Sequence, residues 1–305
     1  GKEENKQRLI QNTEVINYTS LINLSLTRII NNRWSVIVDL PISNNVRSSL
    51  YEHGLVNGTY IKKERNTTAS FGIGDIRFAA YRWLLDPSTN HKGNIQLGLG
   101  IKLPTGDYNY KDYNYNVGPN GSKELRPVDQ SIQLGDGGTG ITLELNTFYN
   151  ILHNISVYGN LYYLSNPREQ NGTRTFRETL SPNLANEAIM SVPDQYMVRT
   201  GINYTPNMIK NLSLSAGVRL EGIPVYDLIG KSGDFRRPGY IWSVEPSVNY
   251  EYKNVTLFAS IPFAIERNRT QSVTDKLNSI IRNTHVQGDA AFADYTINIG
   301  IATRF

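Results

Sequence analysis

The chain has 305 residues, no cysteine, 39% hydrophobic residues and a formal net charge of +4. The lack of cysteine excludes a disulfide framework, a thiolate zinc site and a cysteine nucleophile, and no window holds the roughly 18 consecutive apolar residues of a membrane-spanning helix. Lys and Arg are scattered along the chain and form no stripe, which argues against a nucleic-acid partner.

In chain order, apolar and polar residues alternate with a period of two, the signature of strands with two unlike faces. A polar opening, GKEENKQRLIQNTEV, carries no signal peptide and reads as a processed start. The first apolar row is Ile22, Leu24 and Leu26; Trp34, Val36, Val38 and Leu40 form the second, and Ile76, Phe78 and Ala80 the third. The clearest row is Ile95, Leu97, Leu99, Ile101 and Leu103, separated by Gln96, Gly98, Gly100 and Lys102. Further rows follow at 141–145, 157–163, 198–204, 212–220, 242–248 and 257–263, and the last lies in DYTINIGIATRF at 294–305. Helical periodicity is almost absent. The pattern predicts about eleven strands, each near the ~9–11 residues that cross a bilayer at a tilt.

The connections alternate in length. Short ones fall at 30–33, 86–93, 151–155, 205–211 and 251–254, and long polar ones at roughly 43–68, 105–136, 166–193, 225–238 and 267–291. Short turns at one rim and long loops at the other are the habit of outer-membrane barrels, whereas a soluble β-sandwich has no reason to segregate loop lengths. A mean hydropathy of −0.40 fits a barrel, since only alternate residues of its strands meet lipid. Nineteen tyrosines supply amphipathic rings for girdles at the two membrane surfaces. Pro246 and Pro262 fall within apparent strands and are expected at bulges, and Pro41 and Pro104 where a strand meets its long loop.

Parity adds a strand. If Phe305 lies at the periplasmic rim, the strand at 17–29 descends and needs an ascending one before it; residues 1–13 are too charged to supply it. The expected fold is an all-β antiparallel transmembrane barrel of about twelve strands. It forms a single domain over 1–305, with its first strand upstream of residue 1 and missing from this chain.

Three stretches, ASFGIGDIRFAAYRWLLDP, GNIQLGLGIKLPTGDY and DQSIQLGDGGTGITLEL, resemble the outer-membrane barrels of the meta-pathway phenol-degradation transporter family. GKEENKQRLIQNTEVIN and NRWSVIVDLPI are similar to that family's opening loop and second hairpin. The resemblance covers most of the chain and is strongest over 1–165. It implies fold and location, with one more strand upstream of the opening loop, and carries over no substrate or catalytic residue.

Alternation places Asp39, Asp75, Arg77, Lys102, Glu144, Arg199, Arg219, Glu221, Glu245 and Arg304 on the inner face. In a narrow, poorly screened lumen these charges are expected either to pair across strands as structural filling or to line a pathway selecting zwitterionic or small hydrophilic solutes. Gly72, Gly74, Gly98 and Gly100 are expected to bend an adjacent strand pair or to leave room for a passage. Asp107, Asp112, Asp129 and Asp136 read as solvated loop acids in preference to a calcium site. GDGGTG lacks the lysine and following helix of a phosphate loop. His53, His91, His153 and His285 lie in loops or turns, away from any strand serine, so no enzyme, metal or cofactor is expected. The expected function is a channel or transporter of the bacterial outer membrane, contacting its lipid and passing small molecules through a charged lumen. The alternative is a non-conducting barrel whose long extracellular loops hold a protein partner.

Overall fold

The computed structural model describes residues 14–50, 65–175, 180, 186–288 and 292–305. Strands form wherever the period-two pattern runs. β1 (Ile16–Ile29) and β2 (Trp34–Ser49) make the first hairpin. Its turn is closed by the Asn31 side-chain carbonyl, which accepts from the Arg33 and Trp34 amides. β3 (Asn66–Ile73), β4 (Arg77–Trp83) and β5 (Gly93–Lys102) follow, and β6 (Lys111–Asn114) and β7 (Glu124–Pro127) form a separate small hairpin. Next come β8 (Gly140–Leu152) and β9 (Ile155–Ser165), a second small pair β10 (Gln170–Arg174) and β11 (Ile189–Ser191), then β12 (Gln195–Tyr204) and β13 (Leu212–Ile223). β14 (Gly239–Tyr252), β15 (Val255–Ser260), β16 (Phe263–Arg269), helix α1 (Val273–Arg282) and β17 (Asn298–Thr303) complete the chain.

Thirteen antiparallel strands make one sheet curled into a half-barrel, ordered β1-β2-β4-β5-β8-β9-β12-β13-β14-β15-β17. β3 also pairs with β2, and β16 with β14, so β3/β4 and β15/β16 each occupy one position. The eleven positions match the eleven apolar rows of the sequence. β1 and β17 are the sheet's edges, and among the described residues no ladder joins them. All short links lie at one rim and all long ones at the other.

Three backbone details depart from the sequence reading. Pro41 does not end its strand. β2 runs on to Ser49, and between the pairs Asp39–Arg77 and Ile42–Ile73 two of its residues oppose three, Gly74, Asp75 and Ile76. The bulge therefore sits on the partner strand, and Pro41, with no N–H to give, accepts from the Gly74 amide at 2.8 Å. Pro246 is not a bulge either; it pairs in register with Ala216. The register shift on β14 lies between Trp242 and Ser243, where Ile265 is the extra residue, and Pro262 marks the break between β15 and β16. Finally, the last long loop holds α1, opened by a reciprocal capping box between Ser272 and Asp275.

Burial is inverted relative to a soluble fold. Among the described residues only ten hydrophobic side chains are buried, and seven of these (Leu50, Val128, Ile132, Leu134, Met190, Val192 and Phe235) lie in or under the long loops. The outward rows stay open: Leu97 is 45% exposed, Leu99 59%, Leu214 41% and Ile299 80%. A soluble sheet would cover such rows with a second layer, and in water an apolar surface this continuous would drive association. Exposed rings flank the aliphatic band. Trp34, Tyr149, Tyr204 and Tyr252 lie toward the turn rim, and Tyr18, Phe71 and Trp242 toward the loop rim. An apolar belt between two aromatic girdles, around a polar interior, is the surface pattern of a membrane-spanning β-barrel wall.

Candidate functional site: the charged interior

The inner face divides into a filled half and an open half, and the same device builds both. In the filled half one cross-strand row reads Tyr81, Gly98, Glu144, Tyr162 over β4, β5, β8 and β9. Gly98 is a bare floor. A Cβ there would stand 2.6 Å from the Tyr81 ring and 3.0 Å from the Glu144 side chain. With the floor empty, the Tyr81 hydroxyl crosses β5 and donates to Glu144 at 2.9 Å. Arg77 crosses beside it, donating to Glu144 and, through Nε at 3.0 Å, to Asp39 on β2. The Ser25 hydroxyl donates to the other Asp39 oxygen. Gly98 thus seats a side chain, and the room expected there as passage is occupied.

A second cluster ties the wall to the loop after β5. The Lys102 ammonium bridges Asp75, at 3.1 Å, and Asp136. Asp75 lies in the bulge between β3 and β4 and accepts the Gly106 and Asp136 amides. Burial pushes the Asp136 carboxyl above its ordinary value, with Lys102 pulling the other way. Residues 135–140, the GDGGTG segment, pack against Asp75, Tyr108, Val192 and Asn166 and lead directly into β8.

The open half repeats the row as Tyr158, Gly201, Gly217, Glu245 over β9, β12, β13 and β14. The Tyr158 hydroxyl lies over both glycines, 2.7 and 2.4 Å from where their Cβ atoms would be. Glu245 reaches past Gly217 to Arg199 at 3.5 Å, and Arg199 stands over the Tyr158 ring. Arg219 pairs with Glu221 two residues along β13. Beside this row lies a cavity of about 3650 Å³ that runs the height of the wall, from Arg237 under the loops to Arg304 at the turn rim. It opens between the edge strands β1 and β17, which line it with residues of both faces, Leu26 and Ile299 among them.

At the loop rim the long loops pack on one another over a small buried apolar core of Val128, Ile132, Met190, Val192 and Phe235. Buried ion pairs lock them. Arg237 holds Asp129 with two bonds of 2.8 and 2.7 Å, Arg47 of β2 approaches the same carboxylate at 3.6 Å, and Arg236 binds Asp227 with both side chains fully buried. Burial alone would raise the Asp129 carboxyl; the two guanidinium groups and the Ser131 amide outweigh it and hold it far below the ordinary carboxylate range. This overturns the expectation of solvated loop acids for Asp129 and Asp136. Asp112 is engaged too, accepting the Ala69 amide at 2.7 Å.

Of the ten inner-face charges expected from alternation, nine pair as described. Arg304 lies beyond β17, where its amide donates to the Asn254 carbonyl at 2.9 Å. Among the histidines, His53 lies outside the described residues, while His91 and His153 stand in turns and His285 follows α1. Alternation could not find Arg47, Asp129, Asp227, Arg236 and Arg237, because they sit beyond the predicted strand ends or in loops.

No family model matches the chain, and no curated protein matches it. Among solved structures it is similar to the copper transporter OprC, with 12% identity and a TM-score of 0.34 over 82% of this chain. It is also similar to a Pseudomonas aeruginosa FadL homologue, with 11% identity and a TM-score of 0.37 over 82% of this chain. The chain spans 38% and 60% of their respective lengths. A likeness at this level assigns neither chemistry nor solute to this chain.

Proposed function

We propose that this chain forms the wall of a barrel in a bacterial outer membrane, a single domain over 1–305, and conducts small molecules through a charged lumen. The observation that supports the reading is the continuous cavity of about 3650 Å³ that runs along the charged face of Arg199, Arg219 and Glu245 and opens between the edge strands β1 and β17. Lipid covers the exterior rows, wall charges set what enters, and the long loops narrow the outer mouth. The resemblance of the segments around 69–87 and 93–108 to the phenol-degradation transporter family fits a transport role and names no solute. Planar-bilayer recording tests this: discrete conductance steps are expected, and stable insertion without current would refute it.

A second reading has its own support. The loop core and the locked Arg237–Asp129 and Arg236–Asp227 pairs make a rigid cap at one mouth, as would suit a non-conducting barrel that presents its loops to a protein partner. Co-purification of a stoichiometric subunit together with electrical silence would favour it.

A further inference from the structure

Two ion pairs on the charged side of the cavity present their members to it unequally. The Asp129 side chain is fully buried while its partner Arg237 keeps 19% exposure, and Glu245 keeps 3% against 32% for Arg199. Arg219 and Arg269 line the cavity, whereas the acids that pair with them, Glu221 and Asp275, do not; the Arg267–Asp294 pair lines it with both members, the acid the more exposed. The whole lining holds nine arginines, no lysine and five acids. At the Arg199–Glu245 and Arg237–Asp129 pairs the charge is balanced in the wall, yet the group a solute would meet is the guanidinium donor.

The centre of this surface is built against a cost. Arg199 and Arg219 are directly opposed across β12 and β13, and like charges in that relation destabilise a sheet. The buried Arg219 Nε has no hydrogen-bond partner, and the buried Arg199 Nε faces Glu245 at 3.5 Å without a hydrogen bond. Arg199 stands over the Tyr158 ring, and the Tyr158 hydroxyl lies over Gly201 and Gly217, which leave it that room. A guanidinium fork matches the two oxygens of a carboxylate or phosphate, and an anion between the two arginines would relieve their repulsion.

We infer that the Arg199–Arg219 pair is a transit site for small oxyanions, carboxylate or phosphate, approached from Arg237 above and left toward Arg304 below. The inference rests on the channel reading and names its solute class. The test uses the full chain in planar bilayers under a potassium chloride gradient, with inorganic phosphate as probe. The expected result is a several-fold preference for chloride over potassium and a chloride current that phosphate reduces. Both effects are expected to be lost in R199Q/E245Q, which leaves net charge unchanged, and kept in K92Q at the turn rim. R219Q/E221Q makes the same test at the facing arginine if the first variant does not insert. Cation preference, or selectivity untouched by both variants in an inserted barrel, overturns the inference and leaves the channel reading standing. If no current flows, the channel reading fails and calorimetry of the detergent-solubilised chain with phosphate decides the inference alone. Binding heat lost in R199Q/E245Q supports the arginine pair as an oxyanion site and overturns transit through it, and absence of heat overturns both.

Discussion

Arg77 is the cation on which the filled half of the interior turns, and Arg77→Gln is its sharpest perturbation. The side chains of Arg77, Asp39 and Glu144 are 18%, 11% and 14% exposed, so water screens them little. Removing one partner of a buried pair leaves the other charge uncompensated, at about 3–5 kcal/mol. Here two carboxylates are stranded, while residual exposure and the bonds from Ser25 and Tyr81 soften the loss, so about 3 kcal/mol is expected. Adding Asp39→Asn and Glu144→Gln to the variant should recover most of it, since no unpaired charge then remains. Urea unfolding of the barrel in lipid, followed by the fluorescence of Trp34, Trp83 and Trp242, measures both as shifts of midpoint at constant slope. A cost below about 1 kcal/mol, the size of a surface pair, or no recovery in the triple variant, would refute the reasoning.

Gly98→Ala forces a Cβ to within 2.6 Å of the Tyr81 ring and is expected to cost about 1–3 kcal/mol as overpacking, with Tyr81→Ala relieving part of it in the same titration. Leu99→Arg, midway along an outward row, is expected to cost about 2–4 kcal/mol in lipid vesicles; an exposed site in water would change by less than about 0.5 kcal/mol. Asp129 has a depressed folded-state pKa, so its contribution is complete above the unfolded value of about 3.9 and drains away as pH falls below it. Arg237→Gln, which removes the two-bonded partner, is therefore expected to make stability fall less steeply with pH below about 4, as read by denaturant titration across that range.

The wall was legible because a barrel strand needs nothing but alternation. The rows at 95–103 and 212–220 name both faces of β5 and β13, and loop lengths name the rims. The register could not be read this way, because Pro41 and Pro246 show that a proline in a strand does not locate the bulge; the partner strand can carry it, as at Gly74–Ile76 and at Ile265. The glycines were visible, but their use depended on which residue stood opposite: Gly98 and Gly217 are explained only once the register brings Tyr81 and Tyr158 over them. The cap was missed because its core residues, Val128, Ile132, Met190, Val192 and Phe235, are scattered singly through polar segments with no period. Helix α1 did leave a signal, since Ser272-Val273-Thr274-Asp275 has the spacing of a capping box. The division of the interior into filled and open halves has no counterpart in a list of inner charges.

The central claim is that the apolar rows face hydrocarbon and the charged rows face a water-filled interior. The chain has no cysteine, so single cysteines along β13 from Leu212 to Leu220 can each carry a nitroxide, and collision rates with oxygen and with a water-soluble nickel complex can be measured in lipid vesicles. Labels replacing Leu214, Ala216 and Val218 are predicted to favour oxygen, and those at Ser213, Ser215 and Arg219 the nickel complex, in strict alternation. Uniform nickel access, or immobile labels shielded from both reagents on the apolar row, would contradict the account.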